Sequence, residues 1–125
     1  MKDQTKRILV VEDDVWLAQQ YVRLLESCNY QVDIAPDALS ALDYLNESLP
    51  DVIILDLLLT GSTAFAFLNE IRSYSDTGKI PVILSTSVAS DISLEDMSRY
   101  GVSRIIDKTT MQLDDLSNAV KEVLS

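Results

Sequence analysis

The chain lacks most of what would mark it as disulfide-stapled, fibrous, disordered or membrane-bound. It has one cysteine, Cys28, so no internal disulfide can form, and the expected setting is reducing and cytoplasmic. Three glycines and three prolines in 125 residues exclude collagen-like and linker-like classes. Nothing at the N-terminus pairs a basic region with an apolar run as a secretory signal does. No apolar run nears the ~20 residues that span a bilayer. Basic residues are scarce as well: ten Lys and Arg against twenty Asp and Glu give a net charge of −10. That balance opposes an anionic membrane or a phosphate backbone, so no membrane and no direct nucleic-acid contact are expected. No glycine-rich phosphate loop follows the first apolar run, which leaves Walker and dinucleotide sites unsupported.

What remains is about one domain of chain, with an apolar fraction of 47% that is enough for a single core. Five short runs rich in Val and Ile, at 8–11, 32–35, 52–55, 80–84 and 102–106, have strand length. Between them the apolar period is 3.6. Leu17, Tyr21, Leu24, Leu25 and Cys28 mark the first helix, with Cys28 a small apolar filler, and Ala38, Ala41, Leu42 and Leu45 mark the second. Phe65, Leu68 and Ile71 mark a third, which Ser62 or Thr63 could cap. The fourth, around Leu94, Met97 and Tyr100, is the weakest pattern. Leu113, Leu116, Val120 and Leu124 mark the last, with Thr109 and Gln112 fitting a capping box. Strands alternating with helices predict an α/β fold, a doubly wound, mostly parallel five-stranded sheet with helices on both faces. The third strand is apolar throughout, as a central strand should be; residues 31–34 alternate like an edge, and Pro81 fits the start of the fourth strand.

Within this pattern one residue is out of place. Asp56 closes the run DVIILD, and an unpaired carboxylate is costly to bury, so it is expected to emerge at the strand's end. In a parallel sheet all carboxyl ends share one edge, and ligands bind there. The first strand ends in Glu12-Asp13-Asp14, the third in Asp56, the fourth in Ser85-Thr86-Ser87 and the fifth in Asp107-Lys108. Clustered carboxylates repel unless a cation offsets them, which implies a hard divalent ion, Mg2+ by its preference for few carboxylates and retained waters. A carboxylate nucleophile beside magnesium, a hydroxyl and an ammonium suits phosphoryl transfer to Asp.

Those residues carry a resemblance. In ILVVEDD at 8–14, DVIILDLLL at 51–59, AFAFLNEIR at 64–72, PVILSTS at 81–87 and RIIDK at 104–108, the chain resembles a receiver domain of a two-component response regulator. The resemblance implies a single receiver domain over 1–125, behind a tail of residues 1–6, with a flavodoxin-like (βα)5 fold and strand order 2-1-3-4-5. It implies that Asp56 is the phosphoacceptor, that Asp13 ligates Mg2+ directly and Glu12 largely through water, and that the Leu58 carbonyl is a further ligand. Thr86 and Lys108 would contact the phosphoryl oxygens, with Thr86 moving as a switch. Leu58 and Val88 would border the path of the hydrolytic water and tune its access. The implied partners are a histidine kinase or phosphotransfer protein and a second copy docked through the face of helix 4, strand 5 and helix 5.

The chain departs from the family pattern at three places. Thr109 follows the lysine where the family has a proline in a cis linkage, and a cis bond without proline costs ~2.5–4 kcal/mol, so a trans bond is expected. Ile105 holds the position of the family's switching aromatic, and Thr60 replaces a proline before Gly61. These departures keep a second reading open, a degenerate receiver acting as a phosphorylation-independent interaction module. A phosphatase with an Asp nucleophile is disfavoured, since Leu58 stands where a second acid is expected. Trp16, just past the acidic cluster, is expected either near the crevice or packed in the core.

Overall fold

The computed structural model describes residues 5–58 and 64–125. The elements run β1 (Arg7–Val11), α1 (Val15–Ser27), β2 (Gln31–Ala35), α2 (Ala38–Leu45), β3 (Val52–Asp56), α3 (Ala64–Arg72), β4 (Val82–Thr86), α4 (Leu94–Met97), β5 (Val102–Asp107) and α5 (Leu113–Leu124). The strands pair in parallel in the order β2-β1-β3-β4-β5, as the resemblance implied. β3 is central and buried along its whole length, and β2 is one edge.

Alternation along the strands divides the core in two. Ile8, Val10, Val52, Ile54, Ile83 and Ile106 pack under α1 and α5, against Ala18, Tyr21, Leu25, Leu116 and Val120. Leu9, Val11, Ile53, Leu55 and Leu84 pack on the other face, against Ala38, Ala41 and Leu45 of α2 and Phe67, Leu68 and Ile71 of α3. A strand buried on both faces must be apolar at every position, which is why 52–55 shows no alternation in the sequence.

Several expectations need correction. Phe67, not Phe65, is the core aromatic of α3, because the buried stripe runs Ala64, Phe67, Leu68, Ile71 at helical spacing. Phe65 lies on the flank, edge-on to Tyr100 with ring centroids 5.8 Å apart. Cys28 is exposed at the end of α1 rather than filling the core. Trp16 is 68% exposed in the first turn of α1, which excludes the core role. The capping box of α5 uses Gln112 and Asp115, not Thr109 and Gln112, with the Gln112 N–H donating to Asp115 Oδ2 at 2.8 Å. β4 begins one residue after Pro81, whose carbonyl accepts from the Ile53 N–H at 3.1 Å, so the proline joins the ladder through its acceptor alone. The weak fourth helix has a single turn of α-helix followed by a 3-10 turn, Ser98–Tyr100, which Gly101 closes at φ 85°, a conformation that glycine adopts without penalty. Ser62, Thr63, Thr60 and Gly61 lie outside the described residues, as does the side chain of Leu113.

Candidate functional site

The rows of side chains under α1 continue past the apolar core. Two residues beyond Val10, Ile54, Ile83 and Ile106, the same-face positions are Glu12, Asp56, Ser85 and Lys108. Strand pairing sets Asp56 beside Ser85, and Ser85 beside Ile106. The alternation that builds the core therefore delivers two carboxylates, a hydroxyl and an ammonium to its rim. The N-termini of α1 and α2 open on the same edge, each closed by an aspartate: Asp14 accepts from the Leu17 N–H at 3.0 Å, and Asp37 from the Ser40 N–H at 2.7 Å.

Asp56 stays in β3 and is only 5% exposed, so it does not escape to solvent as the sequence suggested. Its burial is compensated. Oδ1 accepts from the Leu58 N–H at 3.0 Å, and Oδ2 lies 3.3 Å from Lys108 Nζ. The same ammonium is 2.8 Å from Glu12 Oε1, and Glu12 Oε2 accepts from the Asp14 N–H at 3.2 Å. One cation thus bridges two buried carboxylates. Burial raises the Glu12 carboxyl above its ordinary range, against the hydrogen bonds from Lys108 and Asp14. Burial alone would push Lys108 down, but the hydrogen bond and charge of Glu12, followed by Asp56, carry it above its ordinary value. A neutral Glu12 and a charged Lys108 are opposing tendencies, and contacts from Nζ to two carboxylates favour the charged lysine.

Glu12, Asp13 and Asp56 each bring a carboxylate oxygen to a common point, all within 4.8 Å of one another. Three hard oxygen donors at that separation fit a divalent ion such as magnesium. Asp14, three residues past β1, and Asp107, the last residue of β5, serve locally. Asp14 caps α1, and Asp107 Oδ1 accepts from the Thr109 hydroxyl at 2.6 Å and its N–H at 2.9 Å, which holds the Asp107 carboxyl below the usual range. The Lys108–Thr109 bond is trans, since no cis bond occurs among the described residues. The Lys108 N–H continues the sheet by donating to the Thr86 carbonyl at 3.0 Å.

Thr86 is fully buried, and its hydroxyl accepts from the Val88 N–H at 3.2 Å. Val88 and Ile105 are half-buried, Ile105 against the core face of α2 and α3, whereas the Leu58 side chain is 55% exposed. One pair escaped sequence reasoning. The Tyr21 hydroxyl and Ser85 Oγ lie 2.7 Å apart, both buried. The available signal was a hydroxyl in each of two otherwise apolar patterns, which buried polar groups share only when they can satisfy each other.

A doubly wound parallel sheet with an acidic trio and a bridging lysine at its carboxyl edge defines a class of α/β domains whose site is centred on carboxylates. The family model of the response regulator receiver domain matches residues 8–121, and the chain belongs to that family. Among curated relatives, the phosphate regulon transcriptional regulatory protein PhoB of Escherichia coli is 38% identical over 82 residues, covering 66% of this chain and 36% of its own length. The transcriptional regulatory protein BaeR of E. coli is 33% identical over 90 residues, covering 72% of this chain and 36% of its own. The chain therefore spans about a third of the length of these relatives. Among solved structures, the response regulator TrrA of Thermotoga maritima, in complex with Mg(2+)-BeF, superposes with a TM-score of 0.82 at 27% identity, covering 96% of this chain and 100% of that one.

Proposed function

We propose that this chain is a phosphorylation-dependent signalling switch in which Asp56 accepts a phosphoryl group from a phosphohistidine on a histidine kinase or phosphotransfer protein. The observation that carries the proposal is the buried bridge of Lys108 to Asp56 and Glu12, beside the third carboxylate of Asp13. In the transfer, an Asp56 oxygen forms a P–O bond as the donor's P–N bond breaks. The histidine nitrogen keeps the electron pair and takes up a proton. Glu12, Asp13, Asp56 and the Leu58 carbonyl would hold Mg2+, which supplies positive charge against the phosphoryl oxygens. Lys108 turns its ammonium from the carboxylates to the new phosphoryl group, and the Thr86 hydroxyl leaves the Val88 N–H to donate to it.

Movement of Thr86 at the end of β4 shifts the population of the α4 segment and of β5, where Ile105 replaces the aromatic of the family pattern. The face of α4, β5 and α5 is the proposed surface for a second copy. Its Arg104 is already engaged by Glu122 within the chain at 2.6 Å, a pair that docking would have to rearrange. The exposed Leu58 and half-buried Val88 limit access of water to the acyl phosphate, so Leu58→Asn shortens its lifetime; an unchanged lifetime removes that side chain from the account. The cytoplasm is the proposed compartment.

Thr109 and Ile105 favour a second reading, the degenerate receiver that binds partners without being phosphorylated. Incubation with a small phosphodonor and magnesium, followed by intact mass spectrometry, separates the two. The switch gains one phosphoryl group, and Asp56→Asn gains none. No gain in the parent, or a gain that persists in Asp56→Asn, defeats the proposal.

A further inference from the structure

Tyr21 and Ser85 form a buried hydroxyl pair one strand over from Asp56. Ser85 is register-paired with Asp56 and shares its face of the sheet, and Tyr21 reaches it from α1 across the core. The charges of Lys108, Glu12 and Asp56 all act on the Tyr21 hydroxyl. Packing alone does not call for this arrangement. Phenylalanine and alanine would fill the same space with no polar atom to desolvate, and a hydrogen bond between two buried hydroxyls does little more than offset the loss of water. What the hydroxyls add is direction: one bond fixes where α1 sits over the end of β4. The pair also holds two protons for one mutual bond. Ser85, which carries one of them, stands in the row of Glu12, Asp56 and Lys108 at the rim of the core, register-paired with Asp56.

We propose that Tyr21, acting through Ser85, is a positioning residue for the metal site, holding the Asp56 end of the sheet at the spacing from Glu12 and Asp13 that magnesium requires. The inference rests on the reading of the acidic trio as that site. Groups hydrogen-bonded directly to metal ligands change metal affinity by about 10–100-fold when removed, and a pair acting from the neighbouring strand stands at the low end of that range.

Calorimetric titration of the whole chain with magnesium chloride tests it. Tyr21→Phe weakens binding about tenfold. Ser85→Ala weakens it equally, Ser85→Thr retains parental affinity, and the double variant Tyr21→Phe with Ser85→Ala binds no worse than either single one, because both remove the same bond. Tyr44→Phe, which deletes a hydroxyl at the opposite end of the sheet, leaves affinity unchanged. A Tyr21→Phe protein that unfolds cooperatively in urea and binds magnesium like the parent overturns the inference, as does a double variant whose loss is the sum of the two in free energy. Should Tyr21→Phe fail to fold, Ser85→Ala carries the test, and parental affinity there overturns the inference. Failure of the parent to bind magnesium overturns the site reading itself, and the inference with it, an outcome distinct from unaffected variants.

Discussion

The two ends of the sheet carry the same ingredients with different consequences. At the carboxyl end, Lys108 bridges Glu12 and Asp56, with the Tyr21 hydroxyl bonded to Ser85 on the neighbouring strand. At the amino end, Arg7 Nη2 donates to the Tyr44 hydroxyl at 3.2 Å, Tyr44 donates to Asp33 at 2.8 Å, and the Arg7 N–H donates to Asp51 at 2.8 Å. Each end therefore sets one cation against at least two carboxylates, with a tyrosine hydroxyl close by, and the carboxyl end adds Asp13 as a third acid. They differ in water. Arg7 and Asp33 are 4.0 Å apart with side chains 35% and 42% exposed, whereas Glu12 and Asp56 are almost completely buried. Solvent screens the first set, so its members attract each other weakly. The second set is desolvated, so a further cation or a phosphoryl group changes its balance strongly. Residue type alone does not make a site; the same types do so where the fold removes water.

The largest expected effect is that of the metal. At a hundredfold excess over its Kd, magnesium stabilises the native state by about 2.7 kcal/mol, because only the folded chain assembles the acidic trio. Urea denaturation with and without magnesium measures this increment. Arg7→Met retains it, and Asp56→Asn loses most of it. An increment that also vanished in Arg7→Met would show that the ends are not independent.

Next comes removal of each cation. Lys108→Met leaves two buried carboxylates facing each other and costs about 2 kcal/mol in magnesium-free buffer, the worth of charge-assisted hydrogen bonds in a desolvated place. Arg7→Met costs less than about 1 kcal/mol. Equal losses in urea denaturation would erase the distinction between the two ends.

This contrast also explains what the sequence disclosed. The fold was legible because buried parallel strands are apolar on both faces and the helices between them carry a 3.6 period. Glu12, Asp13, Asp56 and Lys108 were legible because each interrupts or ends an apolar run, and the topology gathers strand ends. Burial was not legible. Asp56 looked destined for solvent, since a sequence does not show that Lys108, 52 positions away in the chain, lies 3.3 Å from it. The Tyr21–Ser85 bond was hidden for the same reason: a tyrosine at a core position of a helix reads as apolar until its partner is located. The misplacement of Phe65 has a simpler origin, since 65 and 68 fit a helical stripe nearly as well as 64 and 67.

Alkaline titration sharpens the comparison further. The folded chain holds the Lys108 proton more tightly than the unfolded chain does, because its value is raised above 10.5 by Glu12 and Asp56 once burial is overcome. The associated stability is fully present below the unfolded value and is lost as pH rises through the folded one. In magnesium-free buffer, melting temperatures measured from about pH 9 upward therefore fall less steeply for Lys108→Met than for the parent. Arg7→Met does not fall less steeply than the parent, since arginine stays protonated throughout and its loss only raises the Tyr44 hydroxyl further. Parallel curves for Lys108→Met and the parent would mean that the lysine's charge is not what holds the carboxylates.

The smallest expected effect is at Tyr44. Burial and the neighbouring Asp33 raise its hydroxyl above the ordinary value, so it remains a neutral donor across the physiological range. Tyr44→Phe removes its bonds to Asp33 and Arg7 but leaves both charges at the edge of the sheet, where water replaces what is lost. The cost is about 0.5 kcal/mol, and added salt reduces it further because the charges that the hydroxyl links are half-exposed. Urea denaturation at low and high ionic strength measures both. A cost near that of Lys108→Met, insensitive to salt, would show that the amino end is as dry as the carboxyl end. Burial would then no longer distinguish the site from its mirror image.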